Sequence, residues 1–467
     1  MKPNASMRLL ICLCLFLSSQ VFAQLPKLKV SENNRFLQTE DGKPFFWTGD
    51  TAWELIHKLD YDEVDHYFKT RAEQGFNIVQ TVYLAELDGI DSPNALGQKP
   101  FVSVNPMKLN VSYINHVRTV LDKAAENGLY VALLPTWGDK LFKNSWGTGP
   151  EIFNEKNAFE YGKLLGLHLR DKTNIVWIIG GDRNPREGTN DAKVWQEMAK
   201  GIKEGLGIFV DGIFSFHPQP HEPGGSSRWF HNDDWLSFNM HQTGHCPSQT
   251  YKKIAHDYNL QPVKPTIDGE PLYEDHPNCF NAKELGYSLP RDIRRIMYWN
   301  VFAGAFGQTY GSHNVWQMHV LNEKGVNGPL RPWKKSLDLP MANQVKHLKS
   351  LMLSRPYFDR IPDQGLIEGE QSDDENYTIG TRDESGTYAF IYCPTGKTVN
   401  INTKNLRGQN LRIWWYDVRT GAAFMLGNTV NYGSFAAVPP SSGKGNDWVL
   451  VIDDASKGYD KPGTVAY

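Results

Sequence analysis

Ile175-Val-Trp-Ile-Ile-Gly-Gly-Asp182 is an apolar run that ends abruptly in a carboxylate, and Pro265-Thr-Ile-Asp-Gly-Glu270 repeats the pattern further along the chain. A strand of a parallel sheet is buried on both faces and therefore consists mostly of apolar residues. In a barrel of such strands, the residue just past the carboxyl end of each strand faces the open site. The two stretches therefore predict barrel strands that each deliver one acid to a shared site.

Strand and helix patterns alternate on both sides of these stretches, as expected for a (β/α)8 TIM barrel over residues 25–355. A turn at Asp41-Gly42 predicts an opening hairpin before the first barrel strand. Residues 217–234 hold two proline-containing turns and show no convincing helix, so the fifth unit is the weakest. The other barrel strands are predicted at 76–83, 129–134, 175–180, 213–216, 236–240, 265–268 and 307–310.

The composition changes near Arg355-Pro356. Beyond this point come short alternating strands, separated by turn signals such as Glu384-Ser-Gly386 and Arg419-Thr-Gly421, and no helical pattern. Residues 356–467 are therefore predicted to form a small antiparallel β-sandwich.

The N-terminus has the pattern of a signal peptide over residues 1–23. Lys2 and Arg8 precede a short apolar run, and small residues lead up to Ala23, after which we expect cleavage. The run is too short to span a bilayer, and no later segment resembles a membrane span. The sequence thus predicts export to the periplasm or secretion. The cysteines that remain, Cys246, Cys279 and Cys393, allow one disulfide at most, and we expect none.

Composition narrows the function further. With 49 basic and 52 acidic residues the chain is nearly balanced in charge, so nothing indicates a nucleic-acid surface. The 14 Trp, 20 Tyr and 23 Phe suit a protein that stacks aromatic rings on flat apolar ligand faces, sugar rings included. No phosphate-binding loop and no Gly-x-Ser-x-Gly elbow occurs where a strand meets a helix. We therefore expect an oligosaccharide or polysaccharide substrate and no cofactor. A monomer is expected, although nothing in these patterns bears on the oligomeric state.

Asp182 and Glu270 are the candidate catalytic residues. Cleavage of a glycosidic bond needs one carboxylic acid to protonate the leaving oxygen and a second carboxylate to attack or to activate water. Two alternatives remain: Asp182 as a turn or helix-capping residue, and Glu270 as a salt-bridged residue at the barrel mouth. Asp50, Glu86, Asp88 and Asp139 also follow predicted strands, and any of them is a competing acid or base.

The substrate is expected to be held by polar and aromatic side chains at or just past the strand ends. Tryptophan is the strongest platform for sugar C–H faces, and neutral histidines donate hydrogen bonds to hydroxyl groups. His241 and His245 have the outer spacing of a zinc-protease motif, but Gln242 replaces its general base and the segment is not helical, so no metal is expected. The predicted substrate-binding residues are Asp50, Trp53, Tyr83, Glu86, Trp137, Asn184, His217, His241, Tyr310 and Trp316.

Four segments together resemble the apiosidase-like catalytic domain, and the resemblance extends from about Leu28 to Arg355. Characterised members of that family are exo-acting glycoside hydrolases that release apiose from pectic side chains. The resemblance implies a retaining mechanism, with Asp182 as the acid/base after the fourth strand and Glu270 as the nucleophile after the seventh. The segments are Asp41-Gly-Lys-Pro-Phe-Phe-Trp-Thr-Gly-Asp-Thr-Ala-Trp53, Gly75-Phe-Asn-Ile-Val-Gln80, Trp177-Ile-Ile-Gly-Gly-Asp182 and Asp268-Gly-Glu-Pro-Leu-Tyr-Glu274.

The C-terminal part, with Trp414-Trp-Tyr-Asp-Val-Arg-Thr-Gly421, resembles a module named for collagen binding. Fused to a sugar-cleaving barrel, it is expected to support the barrel rather than to bind a protein. Two other functions stay open from the sequence: a different exo-glycosidase such as an arabinofuranosidase, and a carbohydrate- or matrix-binding protein with an inactive barrel. The presence of both Asp182 and Glu270 favours the enzyme.

Overall fold

The computed structural model describes residues 24–144, 146–208 and 210–465. The predicted signal peptide, residues 1–23, lies outside this described part.

Eight parallel strands form a barrel. They are β1 (Trp47–Thr51), β2 (Ile78–Val82), β3 (Tyr130–Leu134), β4 (Ile175–Gly180), β5 (Ile213–His217), β6 (Asn239–Gln242), β7 (Thr266–Glu270) and β8 (Gly307–Tyr310). Hydrogen-bonded ladders join them in the order β8-β1-β2-β3-β4-β5, and β6 pairs with β7. The ring is completed where the Ser237 N–H donates to the Phe214 carbonyl and the Phe306 N–H to the Thr266 carbonyl. The predicted TIM barrel is thereby confirmed.

One helix follows each strand. They are α1 (Tyr61–Glu73), α2 (Val111–Glu126), α3 (Glu155–Leu169), α4 (Asp191–Leu206), α5 (Ser227–Phe230), α6 (Tyr251–Tyr258), α7 (Pro290–Phe302) and α8 (Val345–Leu353). The fifth unit, weak in the sequence, contains a single helical turn, α5. Short helices in the loops are Leu55–Lys58, Gly138–Lys140, Asn278–Phe280, Ala282–Leu285, Trp333–Ser336, Gln364–Leu366 and Ala455–Lys457.

Local sequence explains where these helices begin. Asp60 and Glu63 form a reciprocal capping box at the start of α1. The cap of α2 is Asn110, whose side-chain oxygen accepts from the Ser112 N–H at 3.0 Å. This contact satisfies one of the free N–H groups of the first turn, so the helix starts at Val111.

The opening hairpin is present, and its strands are Leu28–Val30, Leu37–Thr39 and Pro44–Phe45. Phe45 packs edge-on against Tyr130 of β3, with ring centroids 5.0 Å apart. The hairpin therefore lies against the start of β3, at the end of the barrel opposite the carboxyl ends of the strands.

The C-terminal part consists of two antiparallel sheets. One contains Arg360–Pro362, Ile379–Asp383, Tyr388–Cys393, Trp448–Asp454, Asn410–Asp417 and Ala423–Val430, and the other contains Ile367–Glu368, Val399–Asn402 and Ser434–Ala437. Ile391 and Trp415 of the first sheet and Ile401 of the second belong to one buried apolar cluster. This is the predicted β-sandwich.

The sandwich packs on the barrel through buried ion pairs and aromatic stacks. Arg294 of α7 donates to Asp447 at 2.6 Å, and Arg355 donates to Asp453 at 2.8 Å. The Tyr251 ring lies parallel to Tyr377 with centroids 4.2 Å apart. The buried apolar core of the barrel continues into the side chains on the near face of the sandwich.

Cys246 and Cys279 form a disulfide, so the expectation of no disulfide is wrong. The two residues lie in the loops that follow β6 and β7, which begin side by side at the same end of the barrel. Their proximity is a consequence of barrel closure and is not visible in their sequence spacing. Cys393 is buried and unpaired.

None of the helices in the described ranges is long and apolar enough to cross a membrane.

Candidate active site

A tight turn after β4 places Asp182. Gly180, Gly181 and Asp182 all have positive φ angles, of 92°, 116° and 52°. A side chain on Gly181 would meet the Trp137 ring at 2.9 Å, so this position requires glycine. A left-handed conformation at a non-glycine residue such as Asp182 is uncommon and is often found at functional sites. The turn leaves the Asp182 side chain 15% exposed, at the wall of a cavity.

Glu270 is the last residue of β7 and lies across the same cavity. The pairing register with β6 shifts between Asp268 and Glu270, so the strand is irregular where the carboxylate is presented. His217 Nε2 lies 2.9 Å from one Glu270 oxygen, and His245 Nε2 lies 3.4 Å from the other. Both oxygens of this carboxylate therefore face an imidazole.

His217, at the end of β5, connects the two acids. Its Nδ1 accepts from the Asp182 backbone N–H at 3.3 Å. A neutral imidazole that accepts at one nitrogen carries its proton on the other, so Nε2 is the donor toward Glu270. His217 is fully buried against both the Trp53 and Trp137 rings, with centroids at 5.3 and 5.6 Å, and these rings fix its orientation.

The two carboxylates have opposite pKa shifts. Burial alone would raise the pKa of Glu270, but hydrogen bonds from His217 and His245 outweigh burial and lower it below the usual range of a glutamate. For Asp182, burial and then the negative charge of Glu270 raise the pKa to about 7. Near neutral pH the site therefore holds an ionised Glu270 beside an Asp182 that retains its proton in part. When the surroundings shift the pKa values of two acids in opposite directions, the acid with the raised pKa is suited to donate a proton. The acid with the lowered pKa is suited to act in its ionised form.

The cavity measures about 520 Å³ and opens at the carboxyl ends of the strands. Trp53 and Trp137 are almost completely buried, with ring centroids 5.1 Å apart, and Trp316 is also buried. Glu86 contributes a third carboxylate. Six of the residues predicted from sequence line this cavity, namely Trp53, Glu86, Trp137, Asp182, Glu270 and Trp316.

Glu86 follows β2 and is buried beside the other acids. Burial, and then the nearby charge of Asp182, raise its pKa well above the usual value. Trp146 Nε1 donates to the Glu86 carboxylate, and the Trp146 carbonyl accepts from the buried Arg183 side chain. The loop that carries Trp146 is therefore held against the residue that follows Asp182.

Other predicted residues lie outside the cavity lining. Asp50 is fully buried in an ion pair with Arg71 of α1 at 2.6 Å and also accepts from Tyr67. Tyr310 donates to Glu274 at 2.7 Å. Side chains alternate along a strand, and these two point outward to the helices. The structure therefore places Asp50 and Tyr310 in the packing between strands and helices.

Tyr83, Asn184 and His241 also lie outside the lining. Tyr83 packs edge-on against Tyr113 of α2 at 5.1 Å. Asn184 accepts from the Gln219 N–H at 2.9 Å, and His241 Nε2 lies 2.9 Å from the buried Asp257. Each of these side chains is occupied by a contact that supports the barrel or its loops.

Several lining residues were not predicted as substrate-binding residues. Trp146 lies on the loop between β3 and α3, where the sequence has no strand-end signal. Tyr273 follows Glu270 within a segment that resembles the family, and its hydroxyl accepts from Trp53 Nε1 at 3.1 Å. Tyr273 could have been found from the sequence because it follows Glu270 by three residues. Trp146 could not, because nothing in the neighbouring sequence marks it as a residue of the site.

Gln242, the last residue of β6, also lines the cavity. Its side chain hydrogen bonds with Asp182 and favours the ionised form of that acid. Its Oε1 is buried and without a hydrogen-bond partner. Gln242 therefore contacts the acid from the cavity wall, with its amide oxygen closed off from the open space.

Three histidines pack together beside Glu270. His245 stacks on His276 with centroids 4.2 Å apart, and His276 meets His313 edge-on at 4.5 Å. Burial, then the proximity of His245 and His313, lower the pKa of His276 to about 2. Across the described residues, no group of three or more His, Cys, Asp or Glu has a metal-binding arrangement. His245 and His276 of this cluster form part of the cavity wall, and His313 packs behind them.

A cavity with tryptophan walls and two carboxylates whose pKa values are shifted in opposite directions is typical of glycoside hydrolases, and the comparisons agree. A structure described as "Glycoside hydrolase" is 32% identical, with a TM-score of 0.83 over 92% of this chain and 97% of its own. A glycoside hydrolase family 5 structure from Bacteroides vulgatus is 31% identical, with a TM-score of 0.84 over 94% of this chain and 96% of its own.

The family described as "Apiosidase-like, catalytic domain" matches residues 31–359, and the chain belongs to this family. Residues 361–453 match the family described as "Putative collagen-binding domain of a collagenase". A search of curated proteins gave no match. The protein is a glycoside hydrolase, and the alternative of an inactive carbohydrate-binding barrel is set aside.

Proposed function

We propose that this protein is an exo-acting, retaining glycoside hydrolase that releases terminal apiose from pectic side chains. The family match supports the substrate class. The observation that carries the reaction type is the pair formed by Asp182, whose pKa is raised to about 7, and Glu270, whose pKa is lowered, in one cavity. A proton-donating carboxylic acid and an ionised carboxylate are the two groups that glycosidic bond cleavage requires.

In the first step Glu270 attacks the anomeric carbon and the bond to the leaving oxygen breaks. Asp182 gives its proton to that oxygen, so the remaining oligosaccharide departs as an alcohol. His217 and His245 favour the ionised form of Glu270, which is the form that can attack the anomeric carbon. The product of this step is a covalent glycosyl ester on Glu270.

The second step reverses the roles. Esterification removes the negative charge of Glu270, which is one cause of the raised pKa of Asp182. The pKa of Asp182 therefore falls, and Asp182 becomes a base that takes a proton from water as the water attacks the anomeric carbon. Glu270 leaves as a carboxylate, and the sugar is released with its original anomeric configuration.

The shape of the cavity supports action on a terminal sugar. Trp53, Trp137 and Tyr273 are buried at its base, so a polysaccharide has no exit on that side. In this proposal the terminal sugar unit occupies the buried part of the cavity beside the two acids, and the rest of the chain leaves through the open mouth. A pocket that is walled off on one side favours removal of one end unit at a time.

We also propose that the protein is exported. The pattern of residues 1–23 is that of a signal peptide. The Cys246–Cys279 disulfide supports an oxidising compartment, since such bonds persist outside the cytosol.

The test is incubation with an apiose-bearing pectic oligosaccharide, followed by identification of the released monosaccharide by chromatography and mass spectrometry. We expect apiose as the released sugar. Matched controls are Asp182→Asn and Glu270→Gln, which keep side-chain size and remove the acid. Release of arabinose instead would assign the site to an arabinofuranosidase, and release of no sugar would contradict the proposal.

A further inference from the structure

The mouth of the cavity carries an exposed aromatic residue. Phe280 lines the cavity and is 61% exposed as a residue, whereas the tryptophans at the base are almost completely buried. Exposed apolar side chains are common on protein surfaces, but this one also lines the cavity that holds the two acids. Phe280 therefore leaves an apolar surface free at the point where a substrate enters.

The position of Phe280 is fixed from three sides. Its ring meets His276 edge-on at 5.0 Å and His245 at 5.6 Å. The preceding residue, Cys279, is bonded to Cys246, and the Cys279 N–H donates to the His245 carbonyl at 2.8 Å. The disulfide thus ties the loop that presents Phe280 to the loop that carries His245.

The backbone at this point is held in an uncommon conformation. Cys279 and Phe280 have φ angles of 51° and 61°, in the left-handed region that non-glycine residues seldom adopt. Such conformations persist where the surrounding structure over-determines them, and they cluster at ligand-binding sites. The Phe280 N–H also donates to the Pro277 carbonyl at 2.9 Å.

We infer that Phe280 forms a leaving-group subsite that stacks on the apolar C–H face of the pyranose ring next to the released sugar, and that the Cys246–Cys279 bond sets its position. The inference rests on the proposed exo action, because the closed base then receives the terminal unit. The mouth, where Phe280 lies, then receives the next sugar ring.

The test compares two substrates that share the released sugar and differ in the leaving group. One is an apiose-bearing pectic oligosaccharide, whose leaving group contains a pyranose ring, and the other is methyl apioside, whose leaving group contains none. Phe280→Ala should lower kcat/KM on the oligosaccharide about tenfold, mainly through KM, as expected for one aromatic contact. It should change methyl apioside hydrolysis less than about twofold, and Phe280→Trp should restore the oligosaccharide rate.

Two further variants complete the test. Phe424→Ala removes a similarly exposed ring, 51% exposed, from the C-terminal sandwich and should change neither substrate. The double variant Cys246→Ser/Cys279→Ser releases the loop that presents Phe280 and should lower kcat/KM on the oligosaccharide more than on methyl apioside. An equal loss on both substrates, or no loss on the oligosaccharide, would overturn the subsite.

Failure of the proposed function is distinguishable from failure of the subsite. If the wild-type protein hydrolyses neither substrate, the proposed function is contradicted, and calorimetric binding of the same oligosaccharide decides the subsite. About tenfold weaker binding to Phe280→Ala would support it, and equal affinity would overturn it.

Discussion

His217 joins the backbone of Asp182 to the carboxylate of Glu270. Its Nδ1 accepts from the Asp182 N–H at 3.3 Å, and its Nε2 lies 2.9 Å from Glu270. A single buried imidazole thus fixes the turn that presents the acid and helps to ionise the nucleophile. Both functions depend on one tautomer, which the Asp182 N–H selects.

Replacement of His217 tests this relationship. His217→Asn should lower kcat strongly, and the acid limb of the pH profile should move to higher pH, because the hydrogen bond that lowers the pKa of Glu270 is lost. The matched control is His241→Asn, which removes a buried imidazole paired with Asp257 and leaves the cavity lining intact. The control should reduce stability and leave the pH profile in place. An unshifted acid limb in His217→Asn would contradict the role.

The role of Asp182 is tested with two kinds of leaving group. Asp182→Ala should hardly slow glycosylation by an activated aryl glycoside, whose leaving group departs without a proton. Cleavage of the natural glycosidic bond should fall by roughly 10²–10⁴-fold, the usual value of general acid catalysis. Added azide should restore turnover of the aryl substrate and yield a glycosyl azide with unchanged configuration. Full activity of Asp182→Ala on the natural bond would remove this residue from the mechanism.

The role of Glu270 is tested by stereochemistry. We expect the Asp182 and Glu270 carboxylates to lie about 5–5.5 Å apart, the spacing for nucleophilic attack with retention. Proton NMR of the first product should therefore show the anomer of the substrate. Glu270→Ala should be inactive on natural and aryl substrates unless azide attacks directly and gives the opposite anomer. An inverted product from the wild-type protein would indicate water as the attacking group.

The expected pH dependence of kcat/KM follows from the pKa shifts of Asp182 and Glu270. The reaction needs Asp182 protonated, and its pKa of about 7 means that kcat/KM should decline as pH rises above this value. It also needs Glu270 ionised, and because the pKa of Glu270 is lowered, the acid limb should lie below the usual range of glutamate. With the aryl substrate, Asp182→Ala should lose the alkaline limb. A wild-type alkaline limb about two pH units higher would contradict the assignment.

Stability should depend on the contact between the barrel and the sandwich. Asp447→Ala leaves Arg294 buried without its partner, and breaking such a pair costs about 3–5 kcal/mol of unfolding free energy. Asp373→Ala, which removes a solvent-exposed pair with Lys252 across the same boundary, should change the unfolding free energy little. Urea denaturation measures both.

The supporting role of the C-terminal sandwich is tested by truncation. Truncation after Arg355 should lower the solubility or the Tm of the barrel. A truncated barrel that stays equally stable and loses collagen binding would contradict the supporting role of the sandwich.

Much of the fold was predictable because it depends on local patterns. The apolar run from Ile175 and the run before Glu270 are strands because buried parallel strands consist of such residues, and the acid at each end follows from that placement. Position at or just past a strand end also predicted Trp53 and Trp137 correctly as residues of the site. The same rule predicted Asp50 and Tyr310 as substrate-binding residues, but their side chains point outward to the helices.

The sequence by itself determined the barrel, the sandwich, and Asp182 and Glu270 as the candidate acids, because periodicity and strand ends are properties of neighbouring residues. The tertiary structure alone decided which side chains surround these acids. Trp146, His245 and Phe280 reach the cavity from loops distant in sequence, and Cys246 meets Cys279 because the ends of β6 and β7 are adjacent. The opposite pKa shifts also need the folded protein, since burial and the His217 contact arise from the closure of the barrel.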